Sequence, residues 1–580
     1  MRRPYVLILL TATLCAIILA NLHLPWTVIP WLIGIGIWAA YFWSDRVPAL
    51  QLLSKPMPFS YGLSALVLLA AAAVRLYRLA DFPLGANVDE IFTLNDTLLL
   101  LEKPFDAFGQ TPLISEGWVE IPNLYLYFNL LILKLVGVSY WSMKVLSVIP
   151  GVIACVGIFL IAHLVFERRV AFCTAILFAF AHWPVRLSRY GWIVTFMTMT
   201  FAISIWLLLL GIQRGRRLYS YLAGVAAGVG LYSYLGARIC LLSLIGFFVL
   251  DGLYRHDRSI LKQGIALATG VATVGFPLFC YYLIKPKALW VRTDELSIFS
   301  NQDPLGTLVE NIWRHALMFH ATGGTFARDN FPGLPALDPF TGLLFILGLV
   351  VLIRLVPHNT FVRLVTCTLV LNFAGGVFSI SQEGPPYLYR TAALMVPAFL
   401  IVGFGVQWLM GRALALTSIA VAFALLLNVY LYFGLEAKNT AAMRVMSYEL
   451  RQIGQEIAKD DLPVLLVGAD VTSQSELHAK PDEKYAEANP AVVPPPVIRR
   501  LAIINFSGRY DITKTVSENL SHPTNIYFAE SMASEINGPA KIIFKSRSPE
   551  IDQMLSHHRA SVRELRNIFG EPFRTVAVFF

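Results

Sequence analysis

Two adjacent carboxylates, Asp89 and Glu90, close the segment Gly85-Ala-Asn-Val-Asp-Glu90, just after an apolar run that ends near residue 78. Neighbouring side chains in a loop or strand point different ways, so the two acids need not share one task. One can take a proton as a general base while the other orients it or meets the substrate. The same pair also suits an ordinary helix start, where carboxylates complement the positive end of the dipole.

Arginines at the ends of apolar runs form a second set. Arg186 and Arg189 lie in Trp183-Pro-Val-Arg-Leu-Ser-Arg-Tyr-Gly191, Arg238 closes Tyr232-Ser-Tyr-Leu-Gly-Ala-Arg238, and Arg390 closes Gln382-Glu-Gly-Pro-Pro-Tyr-Leu-Tyr-Arg390. A guanidinium fork matches two phosphate oxygens at once, and the phosphate of a lipid lies at this depth in a bilayer. Arginine also snorkels at interfaces with no ligand at all. Tyr190, Tyr234 and Tyr387 stand beside these cations as candidate substrate contacts. His315 and His320 share a loop with Arg314 and Arg328, but two ligands are too few for a metal site. No cofactor is assigned, and a divalent metal stays open although no ligand spacing supports it. GxGxxG after a strand, GxxxxGK[ST] and HExxH are all missing from the sequence, so a nucleotide-driven pump has no support. The six cysteines (15, 155, 173, 240, 280 and 367) sit in or beside apolar stretches without a CxxC, which argues against a disulfide or zinc framework.

The elements that carry these residues are membrane helices. The chain has 580 residues, 56% hydrophobic and only 14% charged, with a mean hydropathy of +0.62. A soluble protein carries roughly a quarter charged residues. Uncharged apolar runs of about 18 residues or more recur, each able to cross a hydrocarbon core. The net charge of +9 fits cytoplasmic loops and anionic lipid; a nucleic-acid partner would need a dense basic patch on a soluble domain, and none is visible. Met1-Arg2-Arg3 before an apolar run reads as an uncleaved anchor, because a second apolar segment follows at once.

About thirteen helices are expected, near 5–22, 26–43, 58–78, 144–166, 170–185, 192–212, 219–235, 238–254, 262–284, 341–356, 361–380, 391–411 and 414–434. Basic clusters at Arg168/Arg169, Arg214/Arg216/Arg217, Arg255/Arg258/Lys262, Arg354/Arg363 and Arg412 then fall on one side, with Arg2/Arg3 and Arg46/Lys55. That holds only if the apolar run 122–138 lies along the outer interface, which Pro122, Tyr125, Tyr127 and Lys134 suit. The N-terminus is then inside, and the candidate residues meet in outer loops near 79–143, 186–191, 234–238, 285–340 and 381–390. The last part of the chain alternates strand-like runs (Leu465–Val467, Leu501–Phe506, Ile526–Phe528, Ile542–Phe544, Val576–Phe580) with polar stretches, and Asn489–Pro496 reads as a linker. The expected fold is a polytopic α-helical membrane protein with a small C-terminal α/β extracytoplasmic domain. Its expected parts are an N-terminal hairpin and loop (1–57), a catalytic membrane module (58–434) and the outer domain (435–580).

A first outer loop carrying Asp89-Glu90 just after a helix resembles the GT-C glycosyltransferases, and among them the protein mannosyltransferase and aminoarabinose transferase (family 39-like) group. Ser188-Arg-Tyr-Gly191, Leu231-Tyr-Ser-Tyr-Leu-Gly-Ala-Arg238, Leu337-Asp-Pro-Phe-Thr-Gly-Leu343 and Pro385-Pro-Tyr-Leu-Tyr-Arg390 support the likeness, which spans about residues 58–434. The resemblance implies sugar transfer with inversion from a polyprenyl-phosphate donor to a lipid, glycan or protein acceptor, at the outer face of a prokaryotic plasma membrane. It makes Asp89 the base, with Glu90 beside it, and Arg189, Arg238 and Arg390 the holders of the leaving phosphate. Such enzymes often carry a basic residue before a Pro-Pro pair late in the first loop; here the stretch reads Glu120-Ile-Pro-Asn123, and Lys103 is the candidate replacement. The rival classes are a secondary transporter, against which the scarcity of mid-helix charge counts, and a non-catalytic envelope scaffold.

Overall fold

A computed structural model describes all residues except 1–3, 21–27, 54–57, 59, 84, 103–121, 123, 256–257, 382–383, 437–438, 440–441, 443–444, 468–495, 515, 522, 530–538, 567–569 and 571. Each apolar run is a helix. In chain order the helices are α1 (Pro4–Ala20), α2 (Val28–Phe42), α3 (Tyr61–Leu76), α4 (Val88–Glu102), α5 (Leu124–Val136), α6 (Tyr140–Val165), α7 (Arg168–Phe180), α8 (His182–Leu187), α9 (Val194–Arg214) and α10 (Arg217–Gly230). There follow α11 (Ala237–Arg255), α12 (Arg258–Ile284), α13 (Pro286–Leu296), α14 (Pro304–Leu317), α15 (Pro339–Leu355), α16 (Thr360–Asn372), α17 (Ala374–Val377), α18 (Met395–Met410) and α19 (Leu414–Val429). Among the described residues seven stretches are long and apolar enough to cross a membrane, and α2, α3, α5 and α15 are shorter apolar helices. The chain is a multi-pass membrane protein, as helices that satisfy their own backbone groups in lipid require.

The helix ends follow local chemistry. Asp338 caps α15, its Oδ1 accepting from the Phe340 and Thr341 amides (3.0 and 3.1 Å) with Pro339 at the first helical position. The motif Leu337–Leu343 therefore does open a helix. Gly215 ends α9 in the left-handed region (φ +61°), and a Cβ there would lie 2.2 Å from the Val47 carbonyl oxygen.

The described structure divides into two compact units: Met1–Tyr77, Phe108–Tyr125 and Ser147–Asn439 form the first, and Arg78–Ala107, Leu126–Leu146 and Thr440–Phe580 the second. The acid-bearing helix α4 thus belongs with the C-terminal residues.

Within the first unit the turns sort into two groups. In one group, Asp45 pairs with Arg217 (2.6 Å), Arg46 bridges Arg216, Arg168 reaches the Pro58 carbonyl (3.4 Å), and Arg255 donates to Thr360 Oγ1 (2.9 Å). These are the basic turns that the charge pattern assigns to one side. In the other, Trp192 packs on Tyr234 and Tyr389, Arg186 reaches the Arg328 carbonyl, and Arg238 the Leu289 carbonyl. Tyr125 packs on Phe196, and Ser147 Oγ donates to the Trp192 carbonyl (2.6 Å). Helix α5 has 13 residues, about 20 Å against a hydrocarbon core of about 30 Å. Its exposed Leu131 and Leu135 leave an apolar face.

In the second unit the C-terminal part holds helices α20 (Tyr448–Ile457), α21 (Pro496–Phe506), α22 (Val516–Ser521) and α23 (Pro549–His557). It also holds strands β1 (Val464–Val467), β2 (Ile526–Ala529), β3 (Ala540–Phe544), β4 (Ala560–Arg566) and β5 (Pro572–Phe579), in the order β2-β1-β3-β5-β4. β1 is parallel to β2 and β3, and β5 is antiparallel to β3 and β4. Val467, Ile542, Phe544, Ile551, Ala577 and Phe579 form the core. The run 501–506, expected as a strand, is helical. Its unbroken burial erases the period that separates strand from helix, and Pro496 supplies a helix start. The 489–495 part of the linker lies outside the described residues.

Candidate active site

The paired acids divide as their backbone dictates. Asn87 caps α4: its Oδ1 accepts from the Asp89 amide (2.8 Å), and Glu90 Oε2 reaches back to the Asn87 amide (2.6 Å). This is a capping box with asparagine in the serine position. The other Glu90 oxygen meets Lys144 Nζ at 2.6 Å, with both side chains at most 1% exposed. Lys144 also donates to the Gly85 carbonyl (3.0 Å), and Tyr140 Oη lies 2.6 Å from the Pro83 carbonyl oxygen and 2.9 Å from that of Gly85. Glu90 is therefore a fixed part of the helix start, whereas Asp89 keeps a partly exposed side chain. Thr93 and Asp96 follow on the Asp89 face of α4. Asp96 is 4% exposed, and burial pushes its carboxyl up to about 7.

The Glu90–Lys144 pair yields a direct prediction. Lys144→Met leaves a buried carboxylate without its cation, and breaking such a pair costs about 3–5 kcal/mol. Thermal unfolding in detergent should show a clearly lowered midpoint, partly restored by adding Glu90→Gln. An unchanged midpoint for Lys144→Met would show that the pair does not hold the helix start.

The first unit gathers the aromatic and cationic residues. Trp192, Tyr234 and Tyr389 form a ring trio, with centroids 5.7 Å (Trp192–Tyr234), 5.3 Å (Trp192–Tyr389) and 6.5 Å (Tyr234–Tyr389) apart. Two guanidinium groups share Tyr389: Arg328 lies 4.7 Å and Arg390 5.4 Å from its centroid. Arg390 Nε donates to Tyr389 Oη (2.8 Å) and Nη1 to the Ile380 carbonyl (2.7 Å). Arg328 grips Asp329 with two bonds (2.7 and 3.0 Å). Burial pushes the Tyr234 phenol well above its usual range, although Arg390, Arg292 and Arg328 are close enough to oppose that. His315 supports the Arg390 turn. Its Nδ1 donates to the Asn311 carbonyl (2.7 Å) and its Nε2 accepts from the Tyr387 amide (3.2 Å), which leaves the imidazole neutral, and burial draws it down to about 4.

Of the residues singled out in the sequence, Tyr234, Tyr387 and Arg390 come together here. Arg238 is held at the start of α11 by the Leu289 carbonyl (2.9 Å) and Tyr282 Oη (3.1 Å), all neutral partners. Arg189 is 0% exposed. It donates to the Arg75 and Val74 carbonyls (2.6 and 3.1 Å) and stacks near Tyr432 and Phe433. Tyr190 accepts from Arg186 Nε (3.0 Å), and Arg186 pairs with Glu436. Lys103 lies outside the described residues. Sequence reasoning missed Lys144, Tyr140, Trp192, Tyr389 and the Arg328 grip. The last residues of the Pro385–Arg390 motif carried a signal for Tyr389; nothing local marked Lys144. Among the described residues no three His, Cys, Asp or Glu side chains are placed to hold a metal ion.

Residues 121–284, less than half the chain, match the family model of dolichyl-phosphate-mannose-protein mannosyltransferase. The match lies in the region where the motifs resemble glycosyltransferases. No curated protein matches. Among solved structures, ArnT from Cupriavidus metallidurans bound to undecaprenyl phosphate aligns at TM-score 0.47 and 14% identity, over 90% of this chain and 98% of that one. The Archaeoglobus fulgidus oligosaccharyltransferase aligns at TM-score 0.38 and 14% identity, over 69% of this chain and 57% of that one. The S. cerevisiae protein O-mannosyltransferase Pmt1–Pmt2 complex aligns at TM-score 0.32 and 17% identity, over 41% and 35%. At these scores the likenesses assign no role to any residue here.

Proposed function

We propose that this protein is an inverting glycosyltransferase of the GT-C type, moving a sugar from a polyprenyl-phosphate donor to a hydroxyl acceptor at the outer face of the plasma membrane. One observation carries the reading: a capping box and a buried ion pair occupy Glu90 and leave Asp89 partly exposed at a rigid helix start. The motif resemblance and the family match over residues 121–284 support it.

Inversion requires one base. Asp89 takes the proton of the acceptor hydroxyl as that oxygen attacks the anomeric carbon. The bond from that carbon to the phosphate oxygen breaks, and the electron pair leaves with the polyprenyl phosphate. Arg390 and Arg238 meet the phosphate, where negative charge grows. The ring trio Trp192, Tyr234 and Tyr389 offers apolar faces for the sugar. Glu90 and Lys144 position Asp89 without touching substrate. The basic turns face the cytoplasm, which puts the C-terminal domain outside.

Deletion of the gene should cause a polyprenyl-phosphate sugar to accumulate and one envelope glycan, lipid or protein to lose that sugar. Mass analysis of both pools checks this; unchanged pools in a strain grown under the same conditions would favour a transporter or a scaffold.

A further inference from the structure

We propose that the C-terminal domain positions the acid, with Arg451 as a positioning residue acting through Tyr140 and the 446–448 turn. The proposal rests on the reading of Asp89 as the base. Residues 82–83 and 85–87 have no regular structure to satisfy their backbone, so buried carbonyls there need donors from elsewhere. Within this segment the Pro83 or Gly85 carbonyl accepts from Tyr140 Oη and the Gly85 carbonyl from Lys144 Nζ, and just before it the exposed Ala80 carbonyl accepts from Arg451 Nη2 (2.8 Å). The Arg451 guanidinium carbon also stacks 4.1 Å from the Tyr140 ring centroid, and Phe506 of α21 meets the same ring edge-on at 5.3 Å.

The turn before α20 completes the clamp. A Cβ on Gly85 would lie 2.0 Å from the Met446 carbonyl oxygen and 3.1 Å from Tyr448 Cα, so the two backbones approach as only glycine permits. Residues 446–451 thus press on the loop from the C-terminal side while Tyr140 and Lys144 hold it from α6. The conformation passes through Asn87 into the capping box and ends at Asp89. An α/β domain in this place needs no ligand of its own to matter for transfer.

The test uses the full-length protein with Arg451→Ala, Arg451→Lys and Tyr140→Phe. Amide exchange over residues 80–90 should rise at least about tenfold in Arg451→Ala and Tyr140→Phe, while amides in α9 to α12 stay protected and so report an intact fold. Turnover should fall about 10- to 100-fold with donor KM unchanged, since small misplacement of a catalytic group costs up to about 10²-fold. Arg451→Lys should lie between, because lysine can reach the carbonyl but does not present a flat face to the ring. Unchanged exchange over 80–90 in Arg451→Ala overturns the clamp. Raised exchange with unchanged turnover, where Asp89→Asn is inactive, overturns the positioning role. Raised exchange with an active Asp89→Asn removes the base assignment and leaves the clamp supported.

Discussion

Asp89→Asn should abolish sugar transfer while the protein folds normally and still binds its donor lipid. Asparagine keeps the size of the side chain and its hydrogen-bonding shape but cannot take the acceptor proton at neutral pH. A general base contributes about 10²–10⁴-fold to rate, and the loss should fall wholly on turnover. The cap at α4 uses the Asn87 side chain, the Asp89 amide and the Glu90 carboxylate. Glu90→Gln should behave differently. It weakens the buried contact with Lys144, so stability and turnover both decline, with less loss of rate than in Asp89→Asn. Steady-state kinetics and thermal unfolding of the two variants separate a base from its support.

Arg390→Ala should weaken donor binding and turnover together, because a phosphate contact exists before and during reaction. A hydrogen bond to a charged group is worth about 1.5–3 kcal/mol, so the donor KM should rise and turnover fall by about ten- to a hundredfold combined. Arg390→Lys should restore little. The guanidinium is fixed by Tyr389 Oη and the Ile380 carbonyl and stacks 4.9 Å from the Tyr387 centroid, geometry that an ammonium does not reproduce. Arg238→Ala should shift the same two parameters. A KM for the donor that does not move in either variant would take the leaving phosphate away from these residues.

The membrane helices were most legible where they are long and apolar, as at Tyr140–Val165 and Val194–Arg214. The C-terminal sheet was legible where strands are short and apolar, as at Val464–Val467. It failed at Ala560–Arg566, an edge strand whose residues are mostly exposed and which carries Arg563, Glu564 and Arg566, so no hydrophobic alternation marks it. The run 501–506 failed for the opposite reason, being buried throughout.

In the candidate site the dipeptide Asp89-Glu90 was visible, but not which acid was committed. That depends on Lys144, 54 residues away, and on a loop reached by Arg451 from 371 residues away. Such partners are brought together by packing, and local sequence carries no trace of them. Arg189 shows the converse. Its motif and position suggested a phosphate contact, while the structure wraps its guanidinium in two carbonyls and two aromatic rings. An arginine at the end of an apolar run can close a helix junction as readily as a ligand site.

The most direct measurement is single-turnover transfer by the purified protein, supplied with the polyprenyl-phosphate sugar that accumulates in the deletion strain and with membranes from that strain as acceptor. Wild-type protein should release polyprenyl phosphate in step with sugar transferred, with the anomeric configuration of the product opposite to that of the donor. Asp89→Asn should release none on the same timescale. Retention of configuration, or equal release by Asp89→Asn, would contradict a single-base inverting transfer through Asp89.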